Sequence, residues 1–301
     1  MKHHQLVSTR PQGWFYVNWW LMNHCNWSCS YCNDLIRNGS INLPYIKDCR
    51  NFLDQADRFA RVRGLRLHLE FTGGEVTEWN QFLELITYAN NDLDALVKFR
   101  SNASAANAQW QEYMKHTDIV LLEIHPQHTQ LSHFFICVQS ARDQDVEVNI
   151  NVNMLPERWE ELESTLERIQ NRWPEIVINR KMLFVDPVYN TQPKDYSESQ
   201  IHLLKNQKQD LIYTSGKQQE YSDYQTLVLE GRNQFTGWKC NIGLEQIIVD
   251  AWGHVYKGHC RKNGYMGLIS QETLHWPSEP MICDLPLCRN AFDIQATKNS
   301  I

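Results

Sequence analysis

The sequence predicts an α/β fold: a partial (β/α)6 barrel of the TIM type, followed by a small C-terminal module built on a β-hairpin and a helix. Three observations predict it. Extended and helical patterns alternate from Phe15 to Val185, which implies parallel strands joined by helical crossovers. The alternation yields six strands with five helices between them, two units short of a closed eightfold barrel. Near Asp186 the pattern gives way to a polar, loop-like segment, and beyond it lie two further extended runs and four cysteines.

Each element has its own signal. "FYVNWWL" (15–21) reads as the first strand and runs into a cysteine-rich loop. Residues 43–61 read as a helix with Ile46, Cys49, Phe52 and Leu53 on one face. "RLHLEFTGGE" (66–75) is a strand ending in a glycine turn, 79–91 a helix, and "ALVKFRSNAS" (95–104) the third strand. Helices at 107–116, 133–143 and 158–173 then alternate with strands at 118–126, 146–156 and 175–185. Further on, 198–209 suggests a short helix and "QTLVLEG" (225–231) a strand. In "LEQIIVDAWGHVYKGHC" (244–260), "DAWG" is the turn of a hairpin. The chain divides into an N-terminal extension (1–13), the barrel (14–190), a connecting segment (191–236) and the C-terminal module (237–301).

Composition narrows the function classes. Of 301 residues, 42% are hydrophobic and 21% charged, which is globular rather than disordered. A net charge of −6 offers no basic excess to neutralise phosphates, so no nucleic-acid partner is expected. No apolar run reaches the roughly 18 residues of a membrane span. The N-terminus "MKHHQLVSTRPQG" lacks the apolar region of a secretory signal, so a cytoplasmic protein is expected. In a reducing compartment nine cysteines read as metal ligands or catalytic thiols rather than disulfides.

Three of those thiols crowd one loop. In "CNWSCSYC", Cys25, Cys29 and Cys32 can reach three corners of a cubane iron–sulfur cluster and leave its fourth iron without a local cysteine. Zinc with His24 or a distant cysteine as fourth ligand, or accidental spacing, would also explain the triple. The loop follows the first strand, and chemistry in such barrels gathers at the C-terminal ends of strands. The next strand ends in Thr72, Gly73, Gly74 and Glu75, whose glycines allow close backbone approach.

Together these motifs resemble the radical S-adenosylmethionine (radical SAM) superfamily, over roughly residues 14–185. "CNWSCSYC" fits its CxxxCxΦC loop, with Tyr31 as the aromatic residue, and "GGE" fits its methionine-amine motif. The resemblance implies that Cys25, Cys29 and Cys32 hold a four-iron, four-sulfur (4Fe-4S) cluster whose open iron chelates SAM. It implies that Thr72, Gly73, Gly74 and Glu75 hold the SAM amino group and that the backbone at Tyr31 meets adenine. Reductive cleavage of SAM would then yield a 5′-deoxyadenosyl radical that takes a hydrogen atom from substrate. Asn102 stands where a ribose contact is common, although its "SNA" departs from the usual "TNG". Glu123 and His125 share one face of the fourth strand and read either as SAM or substrate contacts or as a structural pair. Asn149, Asn151 and Asn153 share a face of the fifth strand. Three amides form strand poorly, so a pocket-lining role is expected, with Asn151 and Asn153 as contacts.

Cys240, Cys260, Cys283 and Cys288 look like the auxiliary-cluster modules appended to many such enzymes. Four cysteines, rather than the seven of the SPASM type, point to the shorter twitch type with one fully ligated 4Fe-4S cluster. Zinc or unbound thiols are the alternatives. A closed cluster suits electron transfer, hence an oxidation. Cys49 and Cys137 lie on apolar helix faces and read as buried, inert thiols. The substrate is expected to be a small polar metabolite, because the 1–13 extension is too short for the leader-binding domain common in peptide modifiers. A ribosomal peptide and a non-catalytic, structural metal-binding protein remain the competing readings. Flavodoxin or ferredoxin would supply the electron.

Overall fold

Period-two alternation decides which way each strand faces. The structure, a computed structural model, describes residues 4–185, 192–205, 207–261 and 264–301. In chain order its elements are β1 (His4–Ser8), β2 (Trp14–Met22), α1 (Ile46–Arg61), β3 (Arg66–Gly73), α2 (Phe82–Asn91) and β4 (Leu96–Ser101). Then come α3 (Asn107–Met114), β5 (Ile119–Ile124), α4 (Leu131–Arg142), β6 (Glu147–Asn153), α5 (Trp159–Arg172) and β7 (Val177–Lys181). After them follow α6 (Glu198–Leu204), β8 (Leu211–Ser215), β9 (Gln218–Ser222), α7 (Tyr224–Leu229), β10 (Lys239–Cys240) and β11 (Gln246–Val249). The chain ends with β12 (His254–Tyr256), β13 (Tyr265–Leu268), β14 (Met281–Ile282), α8 (Ala291–Ile294) and β15 (Lys298–Asn299).

Strands β2 to β7 pair in parallel in sequence order, as the alternation predicts. The described strands form no closed barrel: the sheet runs β13-β12-β11-β2-β3-β4-β5-β6-β7. One face packs on the helices through a run of aromatic contacts. Trp19 meets Phe52 at 5.0 Å and Phe71 at 5.8 Å, and Phe82 meets Phe99 at 5.3 Å. Helix α1 answers with Cys49, Phe52, Leu53, Ala56, Phe59 and Ala60, one buried stripe at helical spacing. It begins at Ile46, three residues later than the pattern suggests: Pro44 disfavours helix at Leu43, and Tyr45 is extended at the N-cap. The other face of the sheet is polar: Asn18, Glu70, Lys98, Arg100, Glu123, Asn151 and Asn179 alternate with the helix-facing residues.

The structure departs from expectation in three places. The 1–13 extension contains β1, which pairs with β8 and β15 in a second, six-stranded sheet ordered β14-β10-β15-β1-β8-β9. "QTLVLEG" is helix α7, not a strand, because the Asp223 side chain caps it by accepting from the Thr226 amide. The 244–260 hairpin forms as expected, with Ile248 opposite Tyr256 and Gly253 closing the turn. Its first arm, β11, also pairs in parallel with β2, so the hairpin prolongs the main sheet. The expected loop after 185 falls in part on 186–191, outside the described residues.

Candidate active site at the strand ends

The cysteine loop starts where β2 ends, and the ends of β3, β4 and β5 hold it. The Gly74 amide donates to the Met22 carbonyl (2.9 Å) and the Glu75 amide to the His24 carbonyl (2.8 Å). A β-carbon on Gly73 would lie 2.3 Å from the Met22 oxygen, and one on Gly74 1.7 Å from the His24 oxygen. Gly73 also adopts φ +130°, which favours glycine. The glycine pair therefore lets the turn touch the backbone of the cysteine loop itself.

Glu75 braces this junction. It is 1% exposed, and its carboxylate accepts from the Thr77 amide and hydroxyl, the Ser101 hydroxyl and the Asn102 amide. Burial pushes its carboxyl up, and these donors pull it back toward the charged form. All four donors belong to the protein, so Glu75 ties the glycine turn to the end of β4. The Asn102 amide group donates to Asn26 in the cysteine loop (2.9 Å) and lies 3.9 Å from Cys25 Sγ. Strand β5 supplies the third hold. His125 Nδ1 lies 3.4 Å from Cys29 Sγ and 2.9 Å from the Tyr31 hydroxyl, and Ser30 and Gln127 exchange two hydrogen bonds. The Tyr31 ring is buried and stacks on His125. Thr72 sits beside Trp20 at the same strand ends.

Within the loop the Cys32 amide donates to the Cys29 carbonyl, and the Trp27 amide donates to Cys25 Sγ at 3.4 Å. Burial pushes the Cys25 thiol up to about 11 and raises Cys29 and Cys32 as well. A metal would have to displace protons from all three. Among the described residues no three His, Cys, Asp or Glu side chains are placed to hold a single metal ion. A cubane takes its sulfur ligands on separate irons and does not ask three donors to converge on one point, and the loop offers it the buried Cys29 between the half-buried Cys25 and Cys32.

Below the loop the polar face of the sheet forms a linked network. The Glu123 carboxylate accepts from Arg100 (3.2 Å), Asn151 (2.8 Å), Asn153 (3.2 Å) and Lys181 (3.1 Å), and Asn179 donates to Asn151. Burial pushes Glu123 up, but Lys181 and Arg100 outweigh it and hold the carboxyl down to about 2. Glu70 is likewise held low by Lys98 and Arg100 against its burial. Sequence reasoning found Glu123, Asn151 and Asn153 but missed Glu70, Lys98, Arg100, Asn179 and Lys181. The signal was present: each alternates with Leu69, Val97, Phe99, Ile178 or a like residue. Glu123→Gln leaves two cations short of a buried anion and is expected to cost about 3 kcal/mol, read by denaturant unfolding.

His68 offers a pH test. Burial, aided by Lys98, lowers its pKa to about 3 from 6.5. The unfolded chain therefore takes up this proton below pH 6.5 while the folded chain does not. The stabilisation from His68 is full above pH 6.5 and falls steadily until the pH reaches about 3. Melting temperature should drop between pH 7 and pH 5, and drop less in His68→Phe.

The four C-terminal cysteines also approach one another, on three segments tied by hydrogen bonds. Cys240 on β10 lies opposite Lys298 of β15 and Met281 of β14. The Cys283 amide donates to the Trp238 carbonyl, the Cys288 amide to the Asn233 carbonyl, and the Asp293 carboxylate accepts from the His259 and Cys260 amides. Burial pushes the Cys288 and Cys240 thiols up, Lys298 pulls both back down, and Asp293 and then the neighbouring cysteines add smaller upward pushes. His259, beside Cys260, reaches Asn18 on the polar face of β2 (3.1 Å). Cys49 and Cys137 are fully buried, with thiols pushed up to about 12 by burial, as inert core residues should be.

No helix among the described residues is long and apolar enough to cross a membrane. No family model matches the chain, and no curated protein matches it. Solved structures do. Native anSMEcpe with bound AdoMet superposes with a TM-score of 0.57 at 14% identity, covering 86% of this chain and 79% of that one. The same protein with AdoMet and the Cp18Cys peptide gives 0.55 at 13%, covering 86% and 78%. BtrN in complex with AdoMet and 2-DOIA gives 0.44 at 10%, covering 86% and 80%. This chain has the α/β fold of the AdoMet-bound anSMEcpe structures, a parallel sheet with helices and no closed barrel among the described strands.

Proposed function

We propose that this chain is a radical SAM enzyme that abstracts a hydrogen atom from a polar substrate. The observation that carries the reading is the junction of the two motifs. Gly73–Glu75 is hydrogen-bonded to the backbone of the loop bearing Cys25, Cys29 and Cys32. Two stretches some 40 residues apart in the chain are thus held within one hydrogen bond of each other, at the strand ends where barrel chemistry gathers. When bound, a 4Fe-4S cluster and SAM supply the reductive cleavage that makes a hydrogen-abstracting radical. The three loop cysteines would hold the cluster, and Asn102 and His125 flank it. The barrel spans 14–190, and 237–301 carries an auxiliary 4Fe-4S site on Cys240, Cys260, Cys283 and Cys288.

The network of Glu70, Lys98, Arg100, Glu123 and Lys181 favours a substrate with polar or charged groups and, with a closed auxiliary cluster, its oxidation. A small polar metabolite is the first reading. A peptide is the second, favoured by the likeness to anSMEcpe with a bound peptide. A cytoplasmic flavodoxin or ferredoxin would deliver the electron.

Anaerobic reconstitution tests the proposal. About eight irons and eight sulfides per chain, with dithionite-dependent release of 5′-deoxyadenosine from SAM, are expected. Zinc without sulfide, and SAM left intact, would replace the enzyme by a structural metal-binding protein.

A further inference from the structure

Lys298 is 1% exposed, on β15, which lies between β10 and β1 inside the second sheet. Its ammonium donates to the carbonyls of Asp293 (2.6 Å), Ile294 (3.2 Å) and Ala296 (2.9 Å) and stands 5.3 Å over the Phe235 ring. These contacts satisfy its N–H groups, but carbonyls and a ring carry no net charge. The adjacent acid, Asp293, keeps its negative charge but turns both carboxylate oxygens to the amides of His259 and Cys260, and it meets the ammonium through its backbone carbonyl rather than as an ion pair. A buried cation without a directly paired anion is costly, so a further anion beside it is favoured. The register supplies the place. Cys240 is the direct cross-strand partner of Lys298, Cys260 packs with Cys240 and Ala296, and Cys283 and Cys288 pack against the group of Phe235 and Ile294; the Lys298 ammonium touches Ala296, Ile294 and Phe235 and so borders both groups.

We infer that Lys298 is the built-in counter-cation of an anionic metal–thiolate centre on Cys240, Cys260, Cys283 and Cys288. The inference rests on the auxiliary-site reading above. Four thiolates around either Zn²⁺ or an oxidised 4Fe-4S core leave a net charge of about −2, so both centres need such a cation. Asp293 completes the arrangement: its carboxylate fixes the Cys260 amide while its own carbonyl holds the Lys298 ammonium. Lys298 acts through the cysteines and is a positioning residue.

The test uses the full chain with Cys25, Cys29 and Cys32 replaced by alanine, so that only the auxiliary centre loads with iron and sulfide. Removing a neighbouring positive charge makes reduction harder. Lys298→Met is expected to shift the midpoint potential more negative by about 59 mV, a tenfold change in the one-electron equilibrium, and to lose metal to chelator about tenfold faster. Lys298→Arg, which keeps the charge, should stay near the parent in potential. If Lys298→Met fails to fold, Lys298→Gln, which keeps donors without charge, gives the same reading. A folded Lys298→Met or Lys298→Gln with the parent's potential and metal retention overturns the inference. A centre that takes only zinc removes the auxiliary-cluster reading yet keeps this one, with chelator loss as its measure. Failure of the four cysteines to hold either metal overturns both, and leaves SAM cleavage at the first loop untouched.

Discussion

Gly74→Ala is expected to destabilise the fold by about 4 kcal/mol and to detach the cysteine loop from its seat. The added carbon would lie 1.7 Å from the His24 oxygen and 2.4 Å from its carbonyl carbon. Both atoms belong to the backbone, so no change of rotamer relieves the overlap. The turn and the loop must separate, and the Gly74–Met22 and Glu75–His24 hydrogen bonds break. Glu75, pulled away, would leave the Ser101 hydroxyl and the Asn102 amide without their buried acceptor. Thermal unfolding and limited proteolysis of the metal-free chain read the outcome: a lower melting temperature and new cleavage between 22 and 40. An unaltered melting curve with an uncut loop would mean that the junction does not position the cysteines.

Replacing Cys25, Cys29 and Cys32 together by alanine is expected to remove about half the iron and sulfide and to reduce SAM cleavage to background. Replacing Cys240, Cys260, Cys283 and Cys288 instead should remove the other half while leaving uncoupled SAM cleavage measurable. The two sets lie on separate segments with separate backbone supports, so their losses should add. The loop thiols are held protonated by burial, Cys25 at about 11, so loading must release protons and should run faster at pH 8 than at pH 7. Full iron content in the triple variant would remove these cysteines from the ligand set, and equal loading rates at the two pH values would mean that thiol deprotonation does not limit loading.

Much of the fold was legible because its signals are local. Strands β2 to β7 and the helices between them follow the alternation of apolar residues, and the hairpin follows from "DAWG". Other elements carried no such mark. Strand β1 is five residues long and finds its partners more than 200 positions away, in β8 and β15. Helix α7 holds a Thr-Leu-Val-Leu run that reads as strand, and the Asp223 cap outweighs that preference. The glycine pair carries a further role that the sequence did not show: it admits the backbone of Met22 and His24.

The sequence alone determined the order of β2 to β7 and the helices between them, the 244–260 hairpin, the two cysteine groups and part of the polar strand ends, since these depend on spacing and period along the chain. Only the tertiary structure decided that Glu75 is a brace with four protein donors, that β11 extends the main sheet, and that Lys298 lies buried opposite Cys240. Those facts depend on which distant segments become neighbours and on how much water remains between them. Burial then fixes the worth of each charge, and no pattern along a single strand of sequence encodes it.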